Sequence, residues 1–326
     1  MQELKSRILA AVQDDLLLIE EALKENLAPR LDLVGEVAGH LLFSGGKRFR
    51  PLLALLSTRL CNYSSPGAVR FSVIFEYLHA ATLLHDDVVD GAVLRRGRPV
   101  AHAVWESPIV VLTGDFLLAR CLSLAAATGN CDVIATIAEI TENMSQGEID
   151  QLARKGQIEL SEDEYYEVIR RKTAVLFQGA CRAGAILSGT TPQRIRALAD
   201  YGFHLGMAFQ IADDLLDYTG RTEALGKRVG ADLREGKLTL PVIHALSRAS
   251  AADRRRMGAI IENQDFSTAQ FKTLCDLLAT YGGLAYAKEK ATAHVAAAHG
   301  ALAQFSPSPF RATLGDMVDY ALVREH

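Results

Sequence analysis

The stretches LLHDDVVD, Leu83–Asp90, and QIADDLLD, Gln210–Asp217, decide how this chain is read. Each sets three aspartates at i, i+1 and i+4 inside an apolar run: Asp86, Asp87 and Asp90 in the first, Asp213, Asp214 and Asp217 in the second. At 3.6 residues per turn the first and last acid of each set project about 40° apart, and the middle one falls in the same third of the helix surface. Each cluster is an acidic comb on a helix. No Lys or Arg occurs from Phe71 to Gly91 or from Tyr201 to Thr219, so neither comb is neutralised within its own helix. Leu83, Leu84, Val88 and Val89 surround the first comb and Ile211, Leu215 and Leu216 the second, which places the acids on the lining of an interior cavity, where a charge needs a partner. Carboxylate oxygens without imidazole or thiolate form a hard donor set of the kind that holds Mg²⁺, completed by water and substrate phosphate oxygens.

Outward from the combs, apolar residues recur at helical spacing, as in VIATIAEITENM and YYEVIRRKTAVLFQGACRAGAIL, and proline is absent between Pro108 and Pro192 and between Pro192 and Pro241. Breaks fall at Ser44-Gly45-Gly46, Ser64-Ser65-Pro66-Gly67, Arg96-Gly97-Arg98-Pro99, Ser188-Gly189 and Gly282-Gly283, without a long polar linker. The expectation is an all-α chain, one large helical bundle domain over residues 1–326 around a central cavity. Its 326 residues, 49% hydrophobic, are enough for one large core, and a net charge of −4 argues against nucleic acid as a partner. The five cysteines, Cys61, Cys121, Cys131, Cys181 and Cys275, lack CxxC spacing and read as reduced core residues of a cytoplasmic protein. Acids interrupt the apolar stretch at the N-terminus, so it does not read as a signal peptide. The uncharged run from Ala291 to Phe310, rich in Ala and broken by Pro307 and Pro309, reads as a packed helix and a loop, with no membrane span.

Basic residues complement the acids. GGKRFRP presents Lys47, Arg48 and Arg50 on a glycine-opened loop before a helix, a setting that favours an anion. RRGRP places Arg95 and Arg96 beyond the first comb, and Lys227 and Lys237 follow the second. Arginine forks bind phosphate oxygens in pairs, whereas lysine acts as a point charge. His79 lies seven residues before Asp86 on the same helical stripe, while His85 is rotated by about 100° and falls behind the comb.

The series GGKRFRP, LLHDDVVD with RRGRP, GDFLLAR, GEIDQL, RRKTA, and FQIADDLLDY followed by GK and EGK resembles, in order from about residue 45 to residue 241, the motifs of the trans-polyprenyl diphosphate synthases, and most of all the long-chain members that make quinone side chains. One departure is Trp105-Glu106-Ser107-Pro108, where the family has Gly-Asn after the aromatic. The resemblance implies that the six comb acids hold a cluster of three Mg²⁺ ions on the diphosphate of an allylic substrate, aided by Arg95, Lys172, Lys227 and Lys237. Lys47, Arg50, His79 and Arg96 would hold isopentenyl diphosphate. The allylic C1–O bond then ionises, the isopentenyl double bond attacks C1, and a proton leaves to the released diphosphate, with Lys172, Thr173 and Gln210 facing the carbocation. A homodimer is implied as well, consistent with the apolar run Leu112 to Ala127.

A phosphohydrolase with a His85-Asp86 metal site would need further histidines and has no use for the second comb. A terpene cyclase, which takes one diphosphate, would lack Lys47, Arg50 and His79. A non-catalytic subunit of a heteromeric synthase would be expected to have lost comb acids. For product length, Ala81 and Thr82 are small where short-chain members carry a bulky aromatic that closes the tunnel, while Leu78, Phe75, Phe116 and Leu117 lie farther along. The expectation is a product of six to eight isoprene units, about C30–C40, with a four-unit geranylgeranyl product as the alternative if Phe75 points inward.

Overall fold

Helix succeeds helix because the apolar stripes keep a period near 3.6 and their ends are marked by capping residues and prolines. The computed structural model describes residues 2–95, 97–219, 230–263 and 265–323. In order the helices are α1 (Gln2–Leu27), α2 (Asp32–Leu42), α3 (Phe49–Leu60), α4 (Pro66–Ser72), α5 (Ile74–Val89), α6 (Ser107–Ala126), α7 (Cys131–Ala153), α8 (Glu162–Ile169), α9 (Val175–Leu187), α10 (Pro192–Thr219), α11 (Ala231–Arg234), α12 (Leu240–Arg248), α13 (Ala251–Glu262), α14 (Thr268–Thr280), α15 (Gly283–Leu302) and α16 (Pro309–Val323). Pro66, Pro108, Pro192, Pro241 and Pro309 each sit in a first helical turn, where the missing N–H costs nothing. Ser65, Asn130, Ser161, Ser250 and Ser267 accept backbone N–H groups at the starts of their helices, with reciprocal capping boxes at Ser161–Glu164 and Ser267–Gln270.

The all-α expectation holds, with one addition that the sequence reading did not contain. Two short strands pair antiparallel, β1 (Leu94–Arg95) against β2 (Arg98–Pro99), and bring Arg95 to Asp87 at the end of α5. Cys61, Cys121 and Cys181 are buried as expected, but Cys131 opens α7 at the surface and Cys275 is half-buried. The run from Ala291 to Phe310 is the end of α15, a loop and the start of α16. Among the described residues, α6 is the helix long and apolar enough to cross a membrane by length and composition; it packs against α5 and carries Asp115 and Arg120.

Two apolar clusters form the interior. The larger gathers α1 to α7, α9, the first half of α10, the second half of α15 and α16, and the second gathers α8, the rest of α10, α11 to α14 and the first half of α15. α10 serves both, packing most extensively on α9 and α15. Between α8 and α9 the segment Arg170–Ala174 is a single π turn, so the helix read as continuous through RRKTA carries one extra residue there. Two glycines clasp it. A methyl group on Gly147 of α7 would lie 2.8 Å from the Lys172 nitrogen, and one on Gly206 of α10 would lie 2.6 Å from the Ala174 Cα.

Neither position has room for a side chain. Gly206→Ala is therefore expected to lower stability by about 1–3 kcal/mol through overpacking, read as a fall in the denaturant midpoint, even though alanine is the better helix former. A midpoint equal to or above that of the parent would show that the π turn can shift away from α10 without cost.

Candidate active site

The first comb occupies the C-terminal turn of α5. Asp86 and Asp87 are helical and Asp90 is the residue that ends the helix. Asp87 is only 2% exposed and turns toward β1, where the Arg95 fork grips it: Nε donates to both carboxylate oxygens at 3.0 and 3.1 Å and an Nη donates to Oδ1 at 2.7 Å. Asp90 lies 3.6 Å from the Lys237 ammonium. Burial pushes the Asp86 carboxyl up to about 6 against the opposing charge of Lys172, with Glu148 and Asp90 adding to the rise.

The second comb lies at the end of α10. Asp214, 5% exposed, accepts hydrogen bonds from the Tyr165 hydroxyl at 2.6 Å and the Gln210 amide at 2.7 Å. Burial still holds its carboxyl well above the usual carboxylate range, with Asp213 and Asp217 contributing in the same direction. Asp217 accepts the backbone N–H groups of Ala231 and Asp232 at 3.0 and 3.1 Å, which fixes the start of α11 against the comb. Asp232 thereby joins the cluster, its pKa raised first by burial and then by Asp214 and Asp217. Burial works against the Lys237 charge, but Glu235, Asp90 and Asp232 outweigh it and hold its pKa above the ordinary lysine value.

The π turn delivers two more side chains. Thr173 donates to the side-chain Oε1 of Gln210 at 2.9 Å, extending a chain Thr173–Gln210–Asp214–Tyr165 across the back of the second comb. Lys172 donates to Gln151 at 2.6 Å and pairs with Glu148, both on α7. A cavity of about 140 Å³ opens here, lined by Gln151, Tyr165, Lys172, Thr173, Gln210, Asp214, Asp232 and Lys237 among others.

The structure thus gathers Asp86, Asp87, Asp90, Arg95, Lys172, Thr173, Gln210, Asp213, Asp214, Asp217 and Lys237 around one cleft, while Arg96 and Lys227 lie outside the described residues. Lys47 is exposed, its ammonium 5.3 Å from the centre of the Tyr320 ring, and the Arg50 guanidinium lies 4.8 Å from the centre of the Phe177 ring. His79 is half-buried on α5, and Thr82, the next turn along, donates to its carbonyl oxygen at 3.0 Å. His85 turns to α6, with its Nε2 3.0 Å from the Val111 carbonyl oxygen. Arg48 does not face the same way as Lys47; it points inward to Glu20 and Glu76. Leu78, Ala81 and Phe75 are buried, Phe75 edge-to-face on Phe71 of α4, and Thr82 and Phe116 are half-buried while Leu117 is buried. Tyr165 and Asp232 join the site without a signal in the sequence, while Glu148 lies within the GEIDQL motif. Tyr165 sits eight residues from Thr173 across a π turn, and no regular helical spacing connects it to the second comb.

A family profile described as polyprenyl synthetase matches residues 32–278. The chain belongs to the polyprenyl synthase family. Octaprenyl diphosphate synthase of Escherichia coli (strain K12) is 34% identical over 307 residues, covering 94% of this chain and 95% of that protein. Among solved structures, a decaprenyl diphosphate synthase from Rhodobacter capsulatus superimposes with a TM-score of 0.92 at 39% identity, covering 98% of this chain and 99% of the other. A polyprenyl synthase from Caulobacter crescentus, solved with calcium and isoprenyl diphosphate, gives 0.91 at 36% identity, covering 98% and 97%. The synthase is a prenyltransferase with the isoprenoid synthase helical fold.

Its donor set fits a hard divalent cation. Every comb ligand is a carboxylate oxygen, and crowding and burial make ionisation of Asp86 and Asp214 costly until positive charge arrives. Among the described residues no three His, Cys, Asp or Glu side chains close on a single point. That suits an ion held through one or two carboxylates and finished by water and phosphate oxygens.

Acids whose pKa is raised by folding contribute stability at low pH and lose it as pH rises through the folded value. In EDTA, the melting temperature of the synthase should therefore fall between about pH 4 and pH 7, with Asp86 and Asp214 as the main contributors, and level off above that range. Mg²⁺ should recover most of the loss at the upper end and change little at the lower, because it binds the ionised acids. Calorimetry from about pH 4 to pH 8 checks this, and a melting temperature indifferent to Mg²⁺ at pH 8 would contradict it.

Proposed function

We propose that the synthase condenses isopentenyl diphosphate with an allylic diphosphate, using Mg²⁺, to give an all-trans polyprenyl diphosphate of about six to eight isoprene units for a quinone side chain. The observation that carries this reading is the arrangement of two carboxylate combs around one cleft with Arg95, Lys172 and Lys237 set among them. Asp86, Asp90 and Asp213 would hold Mg²⁺, three ions in all, with Asp217 where its oxygens keep lone pairs beyond those committed to α11. When bound, Mg²⁺ supplies positive charge where negative charge develops on the departing diphosphate. Asp87 and Asp214 act from behind, Asp87 by aiming the Arg95 fork and Asp214 by orienting Gln210.

The chain's own groups then divide the work. Lys172 and Lys237 place fixed ammonium charges beside the combs, and Arg95 and Lys227 add to them at the leaving diphosphate. The Thr173–Gln210 pair, held by Asp214, turns oxygen dipoles toward the allylic carbon as it becomes positive. Lys47, Arg50, His79 and Arg96 hold the second diphosphate. The proton lost from the new cation leaves with the released diphosphate.

The growing tail would run from the combs along α5, where Ala81 lies about 7.5 Å from Asp86 at 1.5 Å per residue. The engagement of Phe75 by Phe71 of α4 supports the longer class over a four-unit product. The synthase is read as one domain in the cytoplasm and as a homodimer. Exposed Val111, Leu112 and Leu122 on α6, with Ile149 and Leu152 on α7, supply an apolar face for the second copy, Leu112 being 66% exposed.

Asp86→Ala and Asp213→Ala should each reduce turnover by about 10²–10³-fold or more while leaving the fold intact, because each removes charge compensation needed most as the diphosphate departs. Pyrophosphate release that depends on both isopentenyl diphosphate and an allylic primer is the assay, and normal turnover in either variant rejects the mechanism. Ala81→Phe should shorten the product to three or four units with the first condensation nearly unchanged. Identical product length in Ala81→Phe and the parent, by chromatography after dephosphorylation, would mean that the tail takes another path.

A further inference from the structure

Lys47 lies on the loop between α2 and α3 and Arg50 in the first turn of α3, and between them stands a buried residue. Arg48 is 4% exposed, and its backbone is left-handed at φ 48°, ψ 35°, a conformation that non-glycine residues adopt at a cost. That conformation reverses the chain so that Lys47 faces solvent while the Arg48 guanidinium enters the interior. There it meets groups from three helices. Nε donates to Glu20 of α1 at 2.5 Å, one Nη donates to Glu76 of α5 at 2.7 Å, and the other donates to the Leu42 carbonyl oxygen at the end of α2 at 2.6 Å and to Glu20 at 3.2 Å. Burial opposes the Arg48 charge, but the two carboxylates outweigh it.

Glu76 precedes His79 by three residues on α5, nearly one turn. Between the loop and this turn is a cavity of about 10 Å³, lined by Gly45, Arg48, Glu76, His79 and Leu83 among others, which is the room that one water occupies. A single guanidinium therefore spans the two segments that carry Lys47, Arg50 and His79. Lysine in its place could not reach three acceptors from one planar fork.

We propose that Arg48 is a positioning residue for the isopentenyl diphosphate site, setting the segment that carries Lys47 and, in the first turn of α3, Arg50 at a fixed distance from His79 through Glu76. This rests on the reading that those three side chains hold the second diphosphate. The role is separate from the combs, the first of which lies at the far end of α5 and the second at the end of α10.

The test is steady-state kinetics with each substrate varied in turn for Arg48→Lys, Glu76→Gln and Lys47→Ala. Arg48→Lys should raise KM for isopentenyl diphosphate about tenfold or more and Glu76→Gln about fivefold, with KM for the allylic substrate and kcat at saturation within about twofold of the parent. Hydrogen exchange at residues 44–50 should quicken in both variants. Lys47→Ala separates the two readings: if it leaves KM for isopentenyl diphosphate unchanged, the site is misplaced. If Lys47→Ala raises that KM and neither Arg48→Lys nor Glu76→Gln does, or if they raise both KM values equally, Arg48 is not a positioning residue. Should Arg48→Lys fail to fold, Glu76→Gln and Glu20→Gln, which each release one arm of the fork, decide by the same criterion.

Discussion

Negative charge crowded into a helical cleft is the condition to which the rest of this structure answers. Six comb carboxylates, with Asp232 and Glu148 beside them, share a space from which much water is excluded, and like charges at such distances oppose one another's ionisation. The protein meets part of the demand with Arg95, Lys172 and Lys237 and leaves part unmet. The unmet part is a demand that a bound divalent cation would answer, so that ion binding would add to stability. A comb fully neutralised by the chain itself would be easier to fold and would have no use.

The combs, the helical class and the cations were legible in the sequence because they depend on short-range periodicity: i, i+1 and i+4 on one helix fix directions to within a few tens of degrees. The division of labour within each comb was not legible. The middle acid differs from the first by about 100° of rotation, and whether that rotation leads to the cleft or to a neighbouring chain segment depends on what packs there. At Asp87 the neighbour is a pair of short strands that brings Arg95 back, and at Asp214 it is Tyr165 on another helix. Arg48 shows the same limit. Lys47, Arg48 and Arg50 look alike as loop cations, and only the left-handed turn at Arg48 decides that one of the three serves the interior.

Small residues are as much a part of this site as charged ones. Lys172 and Thr173 reach their partners because Gly147 and Gly206 admit the intervening backbone between α7 and α10 at distances that exclude a methyl group. The polar chain Thr173–Gln210–Asp214–Tyr165 is therefore held by packing on both sides, and the oxygen atoms at its front inherit the rigidity of the core behind them.

The π turn at Arg170–Ala174 carries a consequence for how this region can change over evolutionary time. Its additional residue advances the helix by about 100°, so that Tyr165 and Ile169 before it and Val175 and Phe177 after it can all face inward. Removing any one residue between α8 and α9 would restore a regular helix and swing Lys172 and Thr173 out of register with α10 in a single step. A one-codon deletion would displace both side chains together, whereas a substitution at Arg170 or Arg171 would leave them in register.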